Sequence, residues 1–246
     1  MRTAVVTGGI GGLGTEICKY LAATGKKVIA ADLSARAERV EEFQREVASF
    51  NGQIVFEAIQ VDDFDACVEF GQRVTAKHGG VDIVVNSAGI TRDVSFRKMS
   101  PQQWSDVLAV NLNGAFNVTK QFIDGMCERG FGRIVNISSV NGQTGQFGQT
   151  NYSASKSGIH GFSMALAREV ARKGVTVNSI SPGYCRTAMV AAIPENVRKQ
   201  IIESIPVGRL GEPSEIARTV DFLVADEAGF ITGANIPVNG GYFISF

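Results

Sequence analysis

Residues 3–14 read TAVVTGGIGGLG. A short run centred on Ala and Val suits a buried strand, and five glycines then crowd the next seven positions. Gly9, Gly11 and Gly14 match G-x-G-x-x-G, while Gly8, Gly12 and Gly14 match T-G-x-x-x-G-x-G. The stretch GTEICKYLAAT (14–24) continues with helical character. A strand that passes through glycines into a helix is the setting in which this pattern signals a dinucleotide loop. Glycines let the backbone approach a pyrophosphate, and the helix N-terminus supplies donors and positive potential. Gly8, Ile10, Gly11, Gly12, Leu13 and Gly14 are therefore candidates to hold a cofactor.

The same rhythm continues outward. Apolar runs stand at 27–32 (KVIAAD), 54–61 (IVFEAIQV), 81–86 (VDIVVN), 133–138 (RIVNIS), 175–181 (VTVNSIS) and 235–239 (NIPVN). Helical patterns separate them, as at 62–78, where Phe64, Cys67, Val68, Gly71 and Val74 recur at helical spacing. Near-continuous apolar strands alternating with helices predict βαβ units and a parallel sheet covered on both faces. Seven such strands predict an α/β doubly wound Rossmann fold. No linker, repeat or low-complexity tract divides residues 1–246, so one domain is expected.

Composition narrows the function classes. Lys plus Arg and Asp plus Glu both number 24, so no net charge directs the chain toward nucleic acid or an anionic membrane. Hydrophobic residues make up 44% and mean hydropathy is near zero, as in a soluble globular protein. The N-terminal apolar run is too short for a secretion signal, and no run reaches the roughly 18–20 residues of a membrane span. A cytoplasmic location is expected. Cys18, Cys67, Cys127 and Cys185 are scattered, and His78 and His160 are the two histidines, so idle thiols are expected and metal ligation is not.

Asp32 closes the second apolar run, eighteen residues beyond Gly14. A carboxylate there can accept from both hydroxyls of an adenosine ribose. A 2′-phosphate would meet it with like charge, at a cost of about 4 kcal/mol for ~4 Å and an effective dielectric near 20. NADH is therefore favoured, with NADPH the weaker alternative. Arg36 or Arg39 can partly offset such a phosphate, and Ser34 offers an alternative cap for the following helix.

The remaining motifs fall at later strand ends: NSAG (86–89), VNLNGAF (110–116), NISS (136–139), NYSASK (151–156) and SPGYCRT (181–187). Together they fit hydride transfer to or from a carbonyl carbon, which needs a proton donor and a fixed hydrogen bond at the oxygen. Tyr152 and Lys156 are one helical turn apart. A phenol near pKa 10 exchanges protons poorly at neutral pH, but a neighbouring Lys⁺ at ~4 Å can lower it by about 3 units, toward 7. Ser139 can hydrogen-bond the carbonyl oxygen, and Lys156 can also hold the nicotinamide ribose.

TGGIGGLG, NSAG, Asn111, Ser139, YSASK and PGYCRT together resemble the short-chain dehydrogenase/reductases of roughly 250 residues, along the whole chain and in that family's order. The resemblance implies a catalytic tetrad of Asn111, Ser139, Tyr152 and Lys156. Tyr152 would act as acid/base, and Asn111 would anchor a water that links Lys156 to solvent. It also implies cofactor contacts from Gln60, Val61, Asn86, Ser87, Ala88, Gly89, Pro182, Gly183 and Thr187, and a homotetramer. AGITRDVSFRKMS (88–100), NVTKQFIDGMCERGFGRIVNISSVNG (117–142) and GQFGQTNYSASKSGIHGFSMALA (145–167) are similar more narrowly to the acetoacetyl-CoA reductases. That likeness implies a coenzyme A thioester substrate, an (R)-3-hydroxyacyl product, and a pocket shaped by Asp93, Gln146, Phe147, Gln149 and Tyr184.

Three positions depart from the pattern. Gln60-Val61 stands where relatives often carry Asp-Val, Ser87 replaces the second Asn of N-N-A-G, and Asp32 opposes the NADPH habit of this group. A 3-oxoacyl-acyl-carrier-protein reductase is the neighbouring alternative. Its acidic partner would want a basic patch, which Arg92, Arg97, Lys98 and Arg129 can supply. A catalytically silent dinucleotide sensor would not need Ser139, Tyr152 and Lys156 in register.

Overall fold

The computed structural model describes residues 1–35 and 37–244, with the backbone alone of Met189. Seven strands form one parallel sheet: β1 Thr3–Thr7, β2 Lys27–Asp32, β3 Ile54–Ala58, β4 Ile83–Asn86, β5 Gly132–Ile137, β6 Val175–Pro182 and β7 Asn235–Val238. Their spatial order is β3-β2-β1-β4-β5-β6-β7. The order reverses between β1 and β4, where Val5 pairs with Val84 and Thr7 with Asn86. A cleft outside the carboxyl ends of the strands is expected at that reversal. The Rossmann architecture read from the strand rhythm is the one observed.

Helices cover both faces: α1 Gly12–Ala23, α2 Ala37–Glu46, α3 Phe64–His78, α4 Pro101–Leu108, α5 Gly114–Arg129, α6 Asn141–Thr144, α7 Thr150–Val170, α8 Ala188–Ala191, α9 Glu195–Ser204 and α10 Pro213–Val224. Successive strand residues face opposite sides, which explains the near-continuous Val and Ile. Ala4 and Val6 pack with Ile17 and Leu21 of α1, Phe43 of α2 and Val220 of α10. Val5 packs with Phe70 of α3, Phe122 of α5 and Val170 of α7.

Two elements differ from the sequence reading. The run 54–61 was expected to be all strand, but β3 ends at Ala58. Ile59 N still bonds Asp32 O at 2.9 Å, and Gln60 and Val61 then leave the ladder. Asp63 caps α3, its Oδ1 accepting from Ala66 N at 3.0 Å. The second is that VNLNGAF (110–116) does not lie on one continuous helix: a wide π turn, Ala109–Asn113, separates α4 from α5. Such turns recur at functional sites, and this one carries Asn111.

Candidate active site

The glycine loop is shaped by backbone close approach. A Cβ on Gly14 would lie 2.0 Å from Gly8 O, and one on Gly8 would lie 2.9 Å from Ala88 Cα. Across the cleft, a Cβ on Gly12 would lie 3.3 Å from Thr187 Cγ2, so Thr187 does reach the loop. Ile10 is fully buried and, with Leu13 beside it, packs into the core beneath the loop. Thr7 fastens the loop to β4, its Oγ1 accepting from Ser87 N at 3.1 Å and Ala88 N at 3.2 Å. Thr7 was not among the expected site residues. Its signal was the T preceding the first glycine.

Asp32 ends β2 at 9% exposure, and its Oδ1 accepts from Leu33 N at 2.8 Å. Since α2 begins at Ala37, Asp32 does not act as its cap. Beside it an open groove of about 430 Å³ is lined by residues including Leu33, Ala58, Ile59, Gln60 and Arg73, large enough for an adenine. Gln60 lines this groove, but Val61 is buried and instead offers its carbonyl to Asn117 Nδ2 at 2.8 Å. Asn86 is likewise internal, donating to Asn136 Oδ1 at 2.8 Å and Thr119 Oγ1 at 3.0 Å. These two expected cofactor contacts shape the cleft from behind. Of the expected phosphate partners, Arg36 lies outside the described residues. Arg39 reaches the glycine loop, with Nε donating to Ile10 O at 2.7 Å.

The reacting groups converge at the other end of the cleft. Tyr152 and Lys156 lie one turn apart on α7, with Lys156 Nζ 5.6 Å from the Tyr152 ring centre. Ser139 follows β5 and hydrogen-bonds the Tyr152 hydroxyl. Its Oγ also accepts from Asn141 N at 3.1 Å. The first serine of the pair, Ser138, docks α7 onto β5 by donating to Lys156 O at 2.8 Å. Asn111 makes a reciprocal pair with Ile90, accepting from its N at 2.8 Å and donating to its O at 3.0 Å. Gly89 carries no side chain where these groups meet, since its Cβ would lie 3.4 Å from Asn111 Oδ1 and 3.6 Å from Lys156 Nζ. The four expected catalytic residues are brought together. The Asn111 side chain is fully engaged, so any water it anchors would sit on its backbone carbonyl.

The electrostatics differ from the sequence expectation. Burial pushes the Tyr152 phenol up, outweighing the downward pull of the Ser139 hydrogen bond, and Asp93 adds to the rise. Burial also lowers Lys156 to about 8. Its Nζ donates to Ile137 O at 2.7 Å, so in the protein alone the ammonium serves a carbonyl before it serves the phenol.

Asp93, Gln149 and Tyr184 are joined by a residue that sequence reasoning missed. Asn141 Nδ2 donates to Gln149 Oε1 at 2.9 Å, and Gln149 Nε2 donates to Asp93 Oδ2 at 2.7 Å. Tyr184 hydrogen-bonds Asn141 and stacks edge-on against Tyr242 at 5.6 Å. Gln146 and Phe147 stand outside this chain, with Phe147 89% exposed. Pro182 ends β6 and Gly183 follows it, with Gly183 N bonding Val238 O at 2.9 Å. Cys185 is buried and its thiol is pushed up to about 11, so it stays protonated. The basic patch considered above loses one member: Arg129 turns to Val81 O and Asp82, just before β4 at the amino end of the strands.

The cradle free of Cβ atoms, the carboxylate at the end of β2 and the adenine-sized groove fit a nicotinamide dinucleotide. A Rossmann cleft ending in a Ser–Tyr–Lys cluster defines a carbonyl oxidoreductase of the short-chain type. Residues 2–198 match the family model of the short chain dehydrogenases, and the chain belongs to that family. It is 54% identical over 243 residues to an acetoacetyl-CoA reductase of Allochromatium vinosum, covering 99% of each chain. It is also 54% identical over 245 residues to an acetoacetyl-CoA reductase of Rhizobium meliloti, again covering 99% of each. A 3-oxoacyl-[acyl-carrier-protein] reductase of Vibrio cholerae is 40% identical over 243 residues, covering 99% of this chain and 98% of the other.

Proposed function

We propose that this chain reduces acetoacetyl-CoA to (R)-3-hydroxybutyryl-CoA, with NADH the preferred donor. The observation that carries this reading is the Ser139–Tyr152–Lys156 cluster opening onto the Asp93–Gln149–Asn141 chain, a ready polar wall for a short 3-oxoacyl thioester. The names of the relatives at 54% identity support the substrate, and Asp32 supports the donor.

When bound, the reduced nicotinamide supplies hydride to the substrate's carbonyl carbon. Tyr152 hands its hydroxyl proton to the carbonyl oxygen as charge develops there. Ser139 Oγ is held by accepting from Asn141 N, and its one proton, directed to the Tyr152 oxygen in the protein alone, turns to steady the substrate oxygen. Lys156, lowered to about 8 yet mostly charged at neutral pH, keeps a proton one turn from the phenol. Asn111 fixes the turn between α4 and α5 through Ile90, so the wall opposite Lys156 does not move. Asp32 receives the adenosine ribose, and Thr187 faces the glycine loop from the nicotinamide side.

A homotetramer in the cytoplasm completes the reading. Exposed aromatic surface on α3 and α5, where Phe64 and Phe116 stack at 6.3 Å, supports self-association. Among the described residues no helix is long and apolar enough to cross a membrane.

The test is the initial rate of acetoacetyl-CoA reduction, with NADH and NADPH compared at saturating thioester. Faster turnover with NADH at equal or lower KM is the expected result. A clear preference for NADPH would overturn the assignment to Asp32. No rate with either, but turnover of an acyl-carrier-protein thioester, would move the chain to the neighbouring reductases.

A further inference from the structure

Arg39 lies where α2 meets the glycine loop. Its Nε donates to Ile10 O at 2.7 Å, and one terminal nitrogen reaches Thr15 Oγ1 at 3.1 Å. The other lies 2.6 Å from Glu46 Oε1 and 2.9 Å from Glu42 Oε2. Lys19 of α1 approaches Glu46 from the far side at 3.2 Å. Helix α2 as a whole carries Glu38, Glu41, Glu42 and Glu46 against Arg39 and Arg45. A cation on the loop that faces the adenosine ribose is the group a 2′-phosphate would seek, and every edge of this guanidinium is already engaged.

We propose that Glu42 and Glu46 are specificity-determining residues for the cofactor. By saturating Arg39 they stop it from receiving a 2′-phosphate, and so reinforce the discrimination assigned to Asp32, the reading on which this inference rests. Arg39, Lys19, Glu42 and Glu46 cancel in charge. With both carboxylates replaced by amides, Arg39 and Lys19 lose the two charges that neutralise them, and the Arg39 terminal nitrogen that Glu42 and Glu46 held is released. The two glutamates thus act through Arg39 and touch no ligand themselves. The cluster is partly exposed, so its influence is screened by salt.

The experiment measures binding rather than turnover. Calorimetry on the full chain compares adenosine 2′,5′-bisphosphate with 5′-AMP, and the readout is the ratio of their Kd values. E42Q/E46Q should shift that ratio about tenfold toward the bisphosphate, and the gain should shrink as salt rises. Adding Arg39→Gln to the same background should remove the gain. Glu42 is exposed, so E42Q alone should give a partial shift in a protein whose thermal unfolding is unchanged. An unaltered ratio in a folded E42Q/E46Q, or a gain that survives loss of Arg39, overturns the inference. Asp32→Asn separates the two failures. If it shifts the ratio while the glutamate variants do not, only the present inference falls. If it leaves the ratio unchanged, the ribose reading falls and this inference with it.

Discussion

Lys156 aims its Nζ at the carbonyl oxygen of Ile137, 2.7 Å away, from a position only 4% exposed. One turn back on α7, Tyr152 turns its hydroxyl to Ser139. The ammonium is thus held inside the protein, and it is costly there.

That cost predicts a stability trade. Lys156 is lowered from 10.5 to about 8 because burial disfavours its charge. The unfolded chain therefore binds more protons between those values, and stability from this group rises as pH climbs from about 8 toward 10.5. Below about 8 the penalty is fully present, on the order of 3 kcal/mol. Lys156→Met should abolish turnover yet raise stability at pH 7 by roughly 2 kcal/mol, after about 1 kcal/mol for the stranded Ile137 carbonyl. The advantage should shrink as pH rises past 9. Urea unfolding of both proteins at pH 7 and 9.5 measures this, and a variant less stable at pH 7 would contradict it.

The Ser139 hydrogen bond is the largest downward influence on the Tyr152 phenol. Ser139→Ala should therefore lift the phenol further. The oxidation of a 3-hydroxyacyl thioester, which uses Tyr152 as base, should need higher pH to reach half its plateau. In reduction, kcat should fall about 10²- to 10³-fold, the usual loss for one donor at a developing oxyanion. Rate–pH profiles in both directions read this, and an unmoved profile with reduced kcat would confine Ser139 to positioning.

Why the strand rhythm and glycine loop were legible in the sequence, and Asn141 was not, has a physical reason. β1 and the turn into α1 announce themselves in consecutive residues: Thr3–Thr7 is a run of small and branched apolar residues, and the tightest approach in the loop, Gly14 to Gly8, is between neighbours in sequence. Tyr152 and Lys156 share a helix, so spacing alone set them on one face. Asn141 matters only because a fold-level approach brings Gln149, Asp93 and Tyr184 to it, and an Asn in a Gly-rich loop looks like any turn residue. The upward shift of Tyr152 was hidden for a related reason. Spacing shows which charge is near, but burial depends on the whole packed domain and here dominates.

Asn141 carries the next prediction. Its side chain holds Gln149, which in turn holds Asp93, while its backbone N–H serves Ser139 whatever the side chain. Asn141→Ala should therefore leave Ser139 oriented but free the pocket wall. KM for acetoacetyl-CoA should rise about three- to tenfold, with kcat at saturation changed less than twofold, as for loss of one neutral hydrogen bond in binding. Steady-state kinetics with NADH held saturating decide it. A fall in kcat at unchanged KM would instead place Asn141 in the proton chemistry.

The glycine loop offers a test in which alanines two positions apart fail for different reasons. At Gly14 a Cβ would sit 2.0 Å from the backbone oxygen of Gly8, and neither backbone can yield without opening the turn. Gly14→Ala should cost at least the 1–3 kcal/mol typical of overpacking, because the obstacle is main chain and not a side chain that can rotate. At Gly12 the nearest atom is Thr187 Cγ2 at 3.3 Å, the far end of a side chain across the cleft. Gly12→Ala should fold with a Tm close to the parent, since nothing in the core is displaced. Its methyl group nevertheless occupies the space through which a pyrophosphate reaches the amides at the start of α1, so dinucleotide affinity should drop at least tenfold. Thermal unfolding and fluorescence titration with NADH on both variants separate the two effects. Equal loss of stability in both would mean that the loop is rigid as a unit, and equal retention of binding would remove the cradle from the site.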